Sequence, residues 1–409
     1  MLCSIAAQAF SDDSGTGATG SGAAAGGGSG GGASRATGIG GGAGGQAQGG
    51  GEAQGGGGGE AQGGGVGEAQ GGGGGGGGGP DPVCVAMGVT LQNAIVTHYN
   101  NPPKKLGGAS VAVIRGSCRW VSAVGEAHTG APMTPAHLLR VASVTKTYVA
   151  ATLLALVDEG KVALDDTLDK YVPLVPGGTL RMLLRHPSGL YDYTTDMAFW
   201  QQALAQQPKI YVTPKSLVDV ALAHPANFAP DQGWAYSNTG FILAGMVIEA
   251  VTKTTASVAI RKRTFDVAGL KETFFDGEEV LPTKLATGFG DVGQDLTNAL
   301  HPSVNWSAGG VVATAGNVAD WAAAHYGGKV LTANALAEML LPVATGEAGL
   351  SSGLGAFLYE ASKIGNVSPA IGHGGKLPGY RTNMLYLKKD DTVIVQIGMP
   401  TTARPTPAR

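Results

Sequence analysis

The sequence predicts an α+β fold in which an antiparallel sheet is assembled from both ends of the chain, flanked by helices and interrupted by a helical insertion. Three observations support this. Ala109 to Arg115 and Cys118 to Val124 read as strands joined by the two-residue turn Gly116-Ser117, a hairpin. Gly353 to Glu360, Arg381 to Leu387 and Thr392 to Gly398 read as strands at the other end, with Lys389-Asp390-Asp391 turning between the last two. Between these groups lie two segments apolar on all sides, Ser143 to Glu159, stopped by Gly160, and Gly240 to Val251, which is the pattern of buried helices. Strands at both ends around a helix-rich middle form one layered domain.

The elements are preceded by a segment of different character. Of the 70 Gly in 409 residues, 37 fall in the first 80. That segment carries Asp12, Asp13, Glu52, Glu60 and Glu68 against Arg35, a net of −4; the whole chain is −3, so residues 81–409 sum to +1. A repeat, GEAQGG, sets Glu52, Glu60 and Glu68 eight residues apart. Without apolar residues such a stretch cannot offset its chain entropy, so residues 1–80 are expected to form a disordered tail and 81–409 the folded domain. The match of Gly27-Gly28-Ser29-Gly30-Gly31 to a nucleophile elbow is a product of composition, because no strand precedes it and no helix follows. Leu2-Cys3-Ser4 leaves two readings open, the remnant of a lipoprotein cleavage site that would anchor the tail by lipid, or an ordinary Cys; no complete signal peptide is recognisable.

Charge and composition exclude several functions. A near-neutral body without Lys/Arg runs argues against nucleic acid and polybasic membrane partners. No apolar run approaches the ~20 residues of a membrane span. Eight scattered His and three Cys show no metal-ligand spacing, so no metal or organic cofactor is expected. Cys84 and Cys118 are either a disulfide or two small core residues.

Three motifs carry chemistry. Ser143-Val144-Thr145-Lys146 places Ser143 and Lys146 on one face at the start of a buried helix. A Ser hydroxyl needs an adjacent base, and a desolvated Lys with a lowered pKa can serve; a Lys inside an apolar helix requires such a reason. Tyr236-Ser237-Asn238 precedes the second buried helix. A Tyr hydroxyl beside a Lys cation is expected to have a lowered pKa and to pass protons, and an Asn amide to hold a substrate carbonyl and orient Lys146. His373-Gly374-Gly375-Lys376 reads as a Gly-rich run, allowing close backbone approach, that leads into the strand at Arg381.

In order and context the chain resembles the penicillin-recognising serine hydrolase superfamily, in the branch of class C β-lactamases, secreted D-alanyl-D-alanine carboxypeptidases and related esterases. The resemblance spans residues 85–400 and adds to the three motifs Leu156-Val157-Asp158-Glu159-Gly160-Lys161, Leu183-Leu184-Arg185-His186-Pro187-Ser188-Gly189-Leu190 and Ser307-Ala308-Gly309-Gly310. It implies the β-lactamase/penicillin-binding-protein-like fold. It also implies Ser143 as the acylated nucleophile, Lys146 and Tyr236 sharing base and acid work, and His373 supporting Tyr236 through its field. Asn238 and Gly375 would contact substrate, with the N–H groups of Ser143 and Lys376 as the oxyanion hole. The expected substrate is a D-amino-acid or peptidoglycan peptide or a β-lactam; the alternatives are a small ester, or a sensor that acylates without turnover. A flexible tether is a common layout for an extracytoplasmic enzyme, so a periplasmic, secreted or lipid-anchored location is expected, and a monomer.

The chain departs from the carboxypeptidase pattern at the carboxylate anchor. Gly374 and Lys376 stand where hydroxyl residues are usual, and Ala356-Phe357 follow Gly353-Leu354-Gly355 where an Arg is usual. Loss of those polar partners predicts that uncharged leaving groups are preferred over a free C-terminal carboxylate, unless Lys376 turns inward to replace them.

Overall fold

A computed structural model describes residues 69–71, 81–100, 107–175, 177–207, 209–282, 284–290, 293–365 and 368–399. In chain order the strands are β1 (Ala69–Gly71), β2 (Gly108–Arg115), β3 (Cys118–His128), β4 (Ala131–Pro132), β5 (Leu139–Arg140), β6 (Thr273–Phe275), β7 (Val311–Ala313), β8 (Val343–Ala344), β9 (Leu350–Ser352), β10 (Phe357–Tyr359), β11 (Ala370–Leu377), β12 (Tyr380–Leu387) and β13 (Thr392–Gly398). The main sheet runs β1-β3-β2-β13-β12-β11-β10-β9-β8, antiparallel throughout, with β4 beside β3; β5, β7 and β6 form a small second sheet. The two chain ends meet where β13 pairs with β2, Ile394 opposite Val113 and Val395 opposite Ala112. The expected sheet from both ends is therefore present.

Side chains alternate across the sheet and define two layers. Val111, Val113, Trp120 and Val124 face the helix α1 (Pro82–Asn100), which buries Leu91 and Ile95 against them. Ala112, Val393, Val395 and Ile397 face the larger core, where they meet Val318, Ala319, Trp321 and Ala322 of the helix Ala315–Tyr326. At the centre of that core lies α2 (Thr145–Asp158), buried at nearly every position. It ends where Gly160 takes φ +69°, with the Gly160 and Lys161 N–H groups donating to Val157 and Leu156. The helix α3 (Asn238–Thr252) packs against α2, its first turn held by the Ser237 hydroxyl accepting from Gly240 N–H. Both buried helices lie within two residues of the expected bounds. The insertion between them contributes the helices Leu180–Arg185, Met197–Ala205 and Pro214–Leu222.

Several expectations change. Gly353 to Glu360 is not one strand: β9 and β10 form a hairpin whose loop, Gly353 to Ala356, is closed by Gly353 N–H donating to Ala356. Gly355 sits there at φ +70°, where an added Cβ would lie 2.5 Å from Ala150 Cβ, so the loop presses directly on α2. The Gly-rich run at His373 is itself the strand β11 rather than a turn before one. Cys84 and Cys118 form a disulfide that ties the first turn of α1 to the start of β3. Ala69–Gly71, inside the segment expected to lack structure, pairs with Cys118–Trp120; residues 1–68 and 72–80, with Cys3, lie outside the described residues. Among the described residues, no single helix is long and apolar enough to cross a membrane.

Candidate active site

Ser143 stands in a 3-10 turn, Ala142–Val144, that delivers the chain into α2. The residue before it, Ala142, is held at φ +52°, a conformation that costs an L side chain roughly 1–2 kcal/mol and persists only where surrounding packing imposes it. Strand β11 supplies that packing. A Cβ on Gly375 would lie 2.3 Å from Val141 O, 3.0 Å from Ala142 Cβ and 3.3 Å from Ser143 N. Only glycine lets the strand backbone lie this close to the Ala142–Val144 turn, and the contact brings β11, with Lys376 next along it, against the start of the Ser143 segment.

Lys146, one turn into α2, is fully buried. Its Nζ lies 3.2 Å from Ser143 Oγ, 2.7 Å from Asn238 Oδ1 and 2.8 Å from Ala308 O. Burial lowers its pKa from 10.5 to about 7, against an opposing pull from Asp192. Near pH 7 the neutral amine is thus well populated. That amine has two N–H bonds, matched by Asn238 and Ala308, and one lone pair, left for the Ser143 hydroxyl proton.

Tyr236 enters from the loop before α3. Its ring, not its hydroxyl, faces the ammonium, with Nζ 4.9 Å from the ring centroid. The hydroxyl is enclosed and approaches Ser143 without completing a hydrogen bond of good geometry. The expected lowering of its pKa is reversed: desolvation raises it far above 10, outweighing the contact with Ser143. Tyr236 is therefore a neutral phenol, suited to donating a proton rather than accepting the first one.

His373 is also placed differently from expectation. It is buried, its Nδ1 donates to Gly374 O at 2.6 Å, and desolvation together with Lys146 lowers its pKa to about 3. A neutral imidazole supplies no positive field to Tyr236; it supplies packing, 4.9 Å from Phe357 and 6.2 Å from Tyr236 between ring centres. Phe357, at the position of the absent Arg, is buried and stacked along Tyr236.

Asn238 orients Lys146 as expected, but its Nδ2 donates to Asp192 Oδ2 at 2.9 Å and to Thr194 Oγ1 at 3.1 Å, so its amide donors are spent inside the protein. Two residues that motif reading did not single out complete the arrangement. His186, left-handed at φ +75° after the helix Leu180–Arg185, accepts from Ser237 N–H and lies against the Tyr236 ring at 4.5 Å. Asp192 holds Asn238 by accepting from both its backbone N–H and its side-chain Nδ2. The sequence signal for His186 was its place in the block Leu183–Leu190, and Asp192 follows that block by two residues.

Ser143 opens into a cavity of about 550 Å³. Trp200, Leu204, Leu296 and Leu300 form apolar wall, while Lys376 and Arg381 form a cationic side. Lys376 is exposed yet lines the cavity, so the inward position considered for it is accessible.

Known proteins similar to this chain share its fold. Residues 94–397 match the family described as Beta-lactamase. Penicillin-binding protein 4 from Amycolatopsis lactamdurans is 28% identical over 62% of this chain. Esterase EstB from Burkholderia gladioli is 29% identical over 46% of it. The alignment covers 68% of the first protein, 51% of the second and 34% of a penicillin-binding protein from Bacillus subtilis (strain 168). The crystal structure of D-amino acid amidase from Ochrobactrum anthropi SV3, complexed with L-phenylalanine amide, superposes with a TM-score of 0.65 at 28% identity, covering 72% of this chain and 86% of that one.

Proposed function

This chain belongs to the beta-lactamase family, and from that premise we propose that it is a serine acyl-hydrolase working through an acyl-Ser143 intermediate on D-amino-acid peptides or amides, β-lactams or small esters. The observation that carries the reading is the buried Lys146 amine, held by two acceptors with its third direction on Ser143 Oγ.

Ser143 Oγ attacks the substrate carbonyl while its proton passes to Nζ of Lys146. The developing oxyanion sits between the peptides of Ser143 and Lys376. Tyr236 gives its phenolic proton to the leaving nitrogen or oxygen as the carbonyl bond breaks, and the proton taken up by Lys146 returns to the Tyr236 phenolate through solvent, since the hydroxyl does not face Nζ. Water then attacks the acyl-Ser143 ester and loses a proton to the neutral Lys146 amine; as the bond between the carbonyl carbon and Ser143 Oγ breaks, that proton passes to Oγ, freeing the acid and restoring the hydroxyl. Relatives named penicillin-binding protein, D-amino acid amidase and esterase support acyl transfer from amides and esters alike. The Cys84–Cys118 disulfide supports an oxidising, extracytoplasmic location.

Substrate preference separates two readings. Absence of the hydroxyl and guanidinium anchors favours uncharged leaving groups, so short-chain p-nitrophenyl esters should exceed a D-Ala-D-Ala peptide in kcat/KM. The cavity's Lys376 and Arg381 favour the second reading, a carboxypeptidase with a different cation as anchor. Intact mass after exposure to a β-lactam tests the shared step, since an adduct must form and must be lost in Ser143→Ala. Amidating the C-terminal carboxylate of a peptide substrate decides between the readings. A cost under about tenfold supports the ester-like one, and about a hundredfold or more supports the carboxypeptidase.

A further inference from the structure

Asp192 is 8% exposed, and its four described hydrogen bonds all come from neutral groups. One oxygen, Oδ1, closes a local turn, accepting from Thr194 N–H at 3.0 Å and from the Thr194 hydroxyl at 2.9 Å. The other, Oδ2, faces Asn238 alone, accepting from its backbone N–H at 3.2 Å and its side-chain Nδ2 at 2.9 Å. A turn needs only the first oxygen. A buried carboxylate held by neutral donors also keeps a charge that some cation must balance. Across the Asn238 amide that cation is at hand, since Oδ1 of the same side chain accepts from Lys146 Nζ at 2.7 Å.

We propose that Asp192 is the counter-charge of Lys146, acting through the Asn238 amide, and so is a positioning residue that fixes that amide's orientation and sets the pH at which Lys146 becomes a base. The proposal rests on the acyl-hydrolase reading for its consequence in catalysis, but the charge coupling itself does not depend on any reaction. An amide can be turned over so that its NH₂ faces Lys146; the carboxylate forbids this, because Oδ1 would then oppose Oδ2 of Asp192. The remaining titratable groups facing Lys146 are His186 from the end of the Leu180–Arg185 helix, His373 from β11 and Tyr236 from the loop before α3. The two imidazoles are held neutral by burial and the phenol is held protonated, so near neutral pH Asp192 is the charge left to act on the amine.

Direct titration of Lys146 in full-length protein carrying [13Cε]-lysine tests this, comparing wild type with Asp192→Asn and with Asp192→Ser, the latter leaving space for water should the first variant fail to fold. Removing the counter-charge should move the Lys146 midpoint down by about one unit or more. The acid limb of ester acylation should move the same way. Mere loosening of the site would admit water and move the midpoint up, so an upward shift or none overturns the proposal. In wild type the Asn238 side-chain amide signal should titrate with the Lys146 midpoint; a flat signal overturns it equally and requires no substitution. Failure of Ser143→Ala to abolish acylation would instead refute the hydrolase reading while leaving the Lys146 midpoint interpretable.

Discussion

Lys146 gathers three partners from three places in the sequence: Ser143 three residues before it, Asn238 on the next buried helix, and Ala308 before β7. Its burial is the largest influence on it and brings its pKa to about 7. Acylation by an activated ester should therefore rise with pH through about 7 and level off above it, because only the neutral amine accepts the Ser143 proton. Lys146→Ala should lower the acylation rate at least ~10²-fold, the lower range for a positioned acid–base group. Stopped-flow acylation from pH 5.5 to 9 checks both, and a flat profile or a loss under about threefold would return Lys146 to a packing role. The Ser143–Lys146 contact was legible in the sequence because a Lys inside an apolar helix is out of place without a partner. His186 and Asp192 were not legible as partners, since each acts on a residue about fifty positions away through contacts that no local pattern encodes. The charge states of Tyr236 and His373 were misjudged for a related reason: a motif names the groups, while desolvation depends on what closes over them, here Phe357 and His186.

Strand β11 is the element on which the site is assembled, and it was the element least visible beforehand. Consecutive glycines lower strand propensity, and its ladders with β12, from Ile371 opposite Tyr386 to Leu377 opposite Tyr380, and with β10, where Phe357 stands opposite Gly372, make it a strand. The hairpin β2–β3, by contrast, announces itself through alternation and a two-residue turn. The two glycines of β11 differ in kind, which gives a paired prediction. Gly375→Ala should cost about 10²-fold or more in kcat/KM, comparable to loss of an oxyanion donor, because its Cβ would strike Val141 O. Gly374→Ala should be tolerated within about threefold by ordinary variation in a strand, since its nearest neighbour would lie 3.7 Å away. Equal effects in steady-state assays would remove the special status of Gly375. A second element, the helix Ala315–Tyr326, holds His325 fully buried against Trp321, with neither ring nitrogen partnered among the described residues. Burial lowers its pKa from 6.5 to about 3. Between those values the unfolded chain binds a proton that the folded one refuses, so this contribution to stability is complete above pH 6.5 and is lost as pH falls toward 3. His325→Phe should keep the stacking, reduce the acid sensitivity by up to about 1.4 kcal/mol per pH unit, and leave kcat/KM unchanged. Urea unfolding at pH 4.5 and 7 measures it; an unchanged pH dependence would show that His325 is protonated in the folded state.

At the scale of the molecule, the sheet separates stability devices from chemistry. The Cys84–Cys118 disulfide and the β1 pairing both act on β3, while the proposed site at Ser143 lies against β11, four strand steps away across β2, β13 and β12. At ~4.8 Å per step that is roughly 19 Å. The disulfide links residues 34 apart, a separation for which loop-closure entropy predicts about 3–4 kcal/mol of stabilisation. Its span also explains why α1 escaped sequence reading: a segment with Val83, Val85, Gly88 and Val89 has weak helix preference, and the bond together with Leu91 and Ile95 against the sheet holds it in place. The double variant Cys84→Ser/Cys118→Ser should therefore lose about 3–4 kcal/mol of unfolding free energy in urea while keeping kcat/KM within about twofold at 25 °C. Deleting residues 1–68 should alter neither quantity, because that stretch has too few apolar residues to pack. Deleting residues 1–80 removes β1 as well and uncovers the outer edge of β3, so it should leave kcat/KM alone but promote self-association. Light scattering alongside the activity assay distinguishes these outcomes. If the disulfide variant or the longer deletion lowered kcat/KM tenfold at a temperature where the protein stays folded, the outer edge of the sheet would be coupled to the Ser143 site, and stability and chemistry would not be separate layers of this fold.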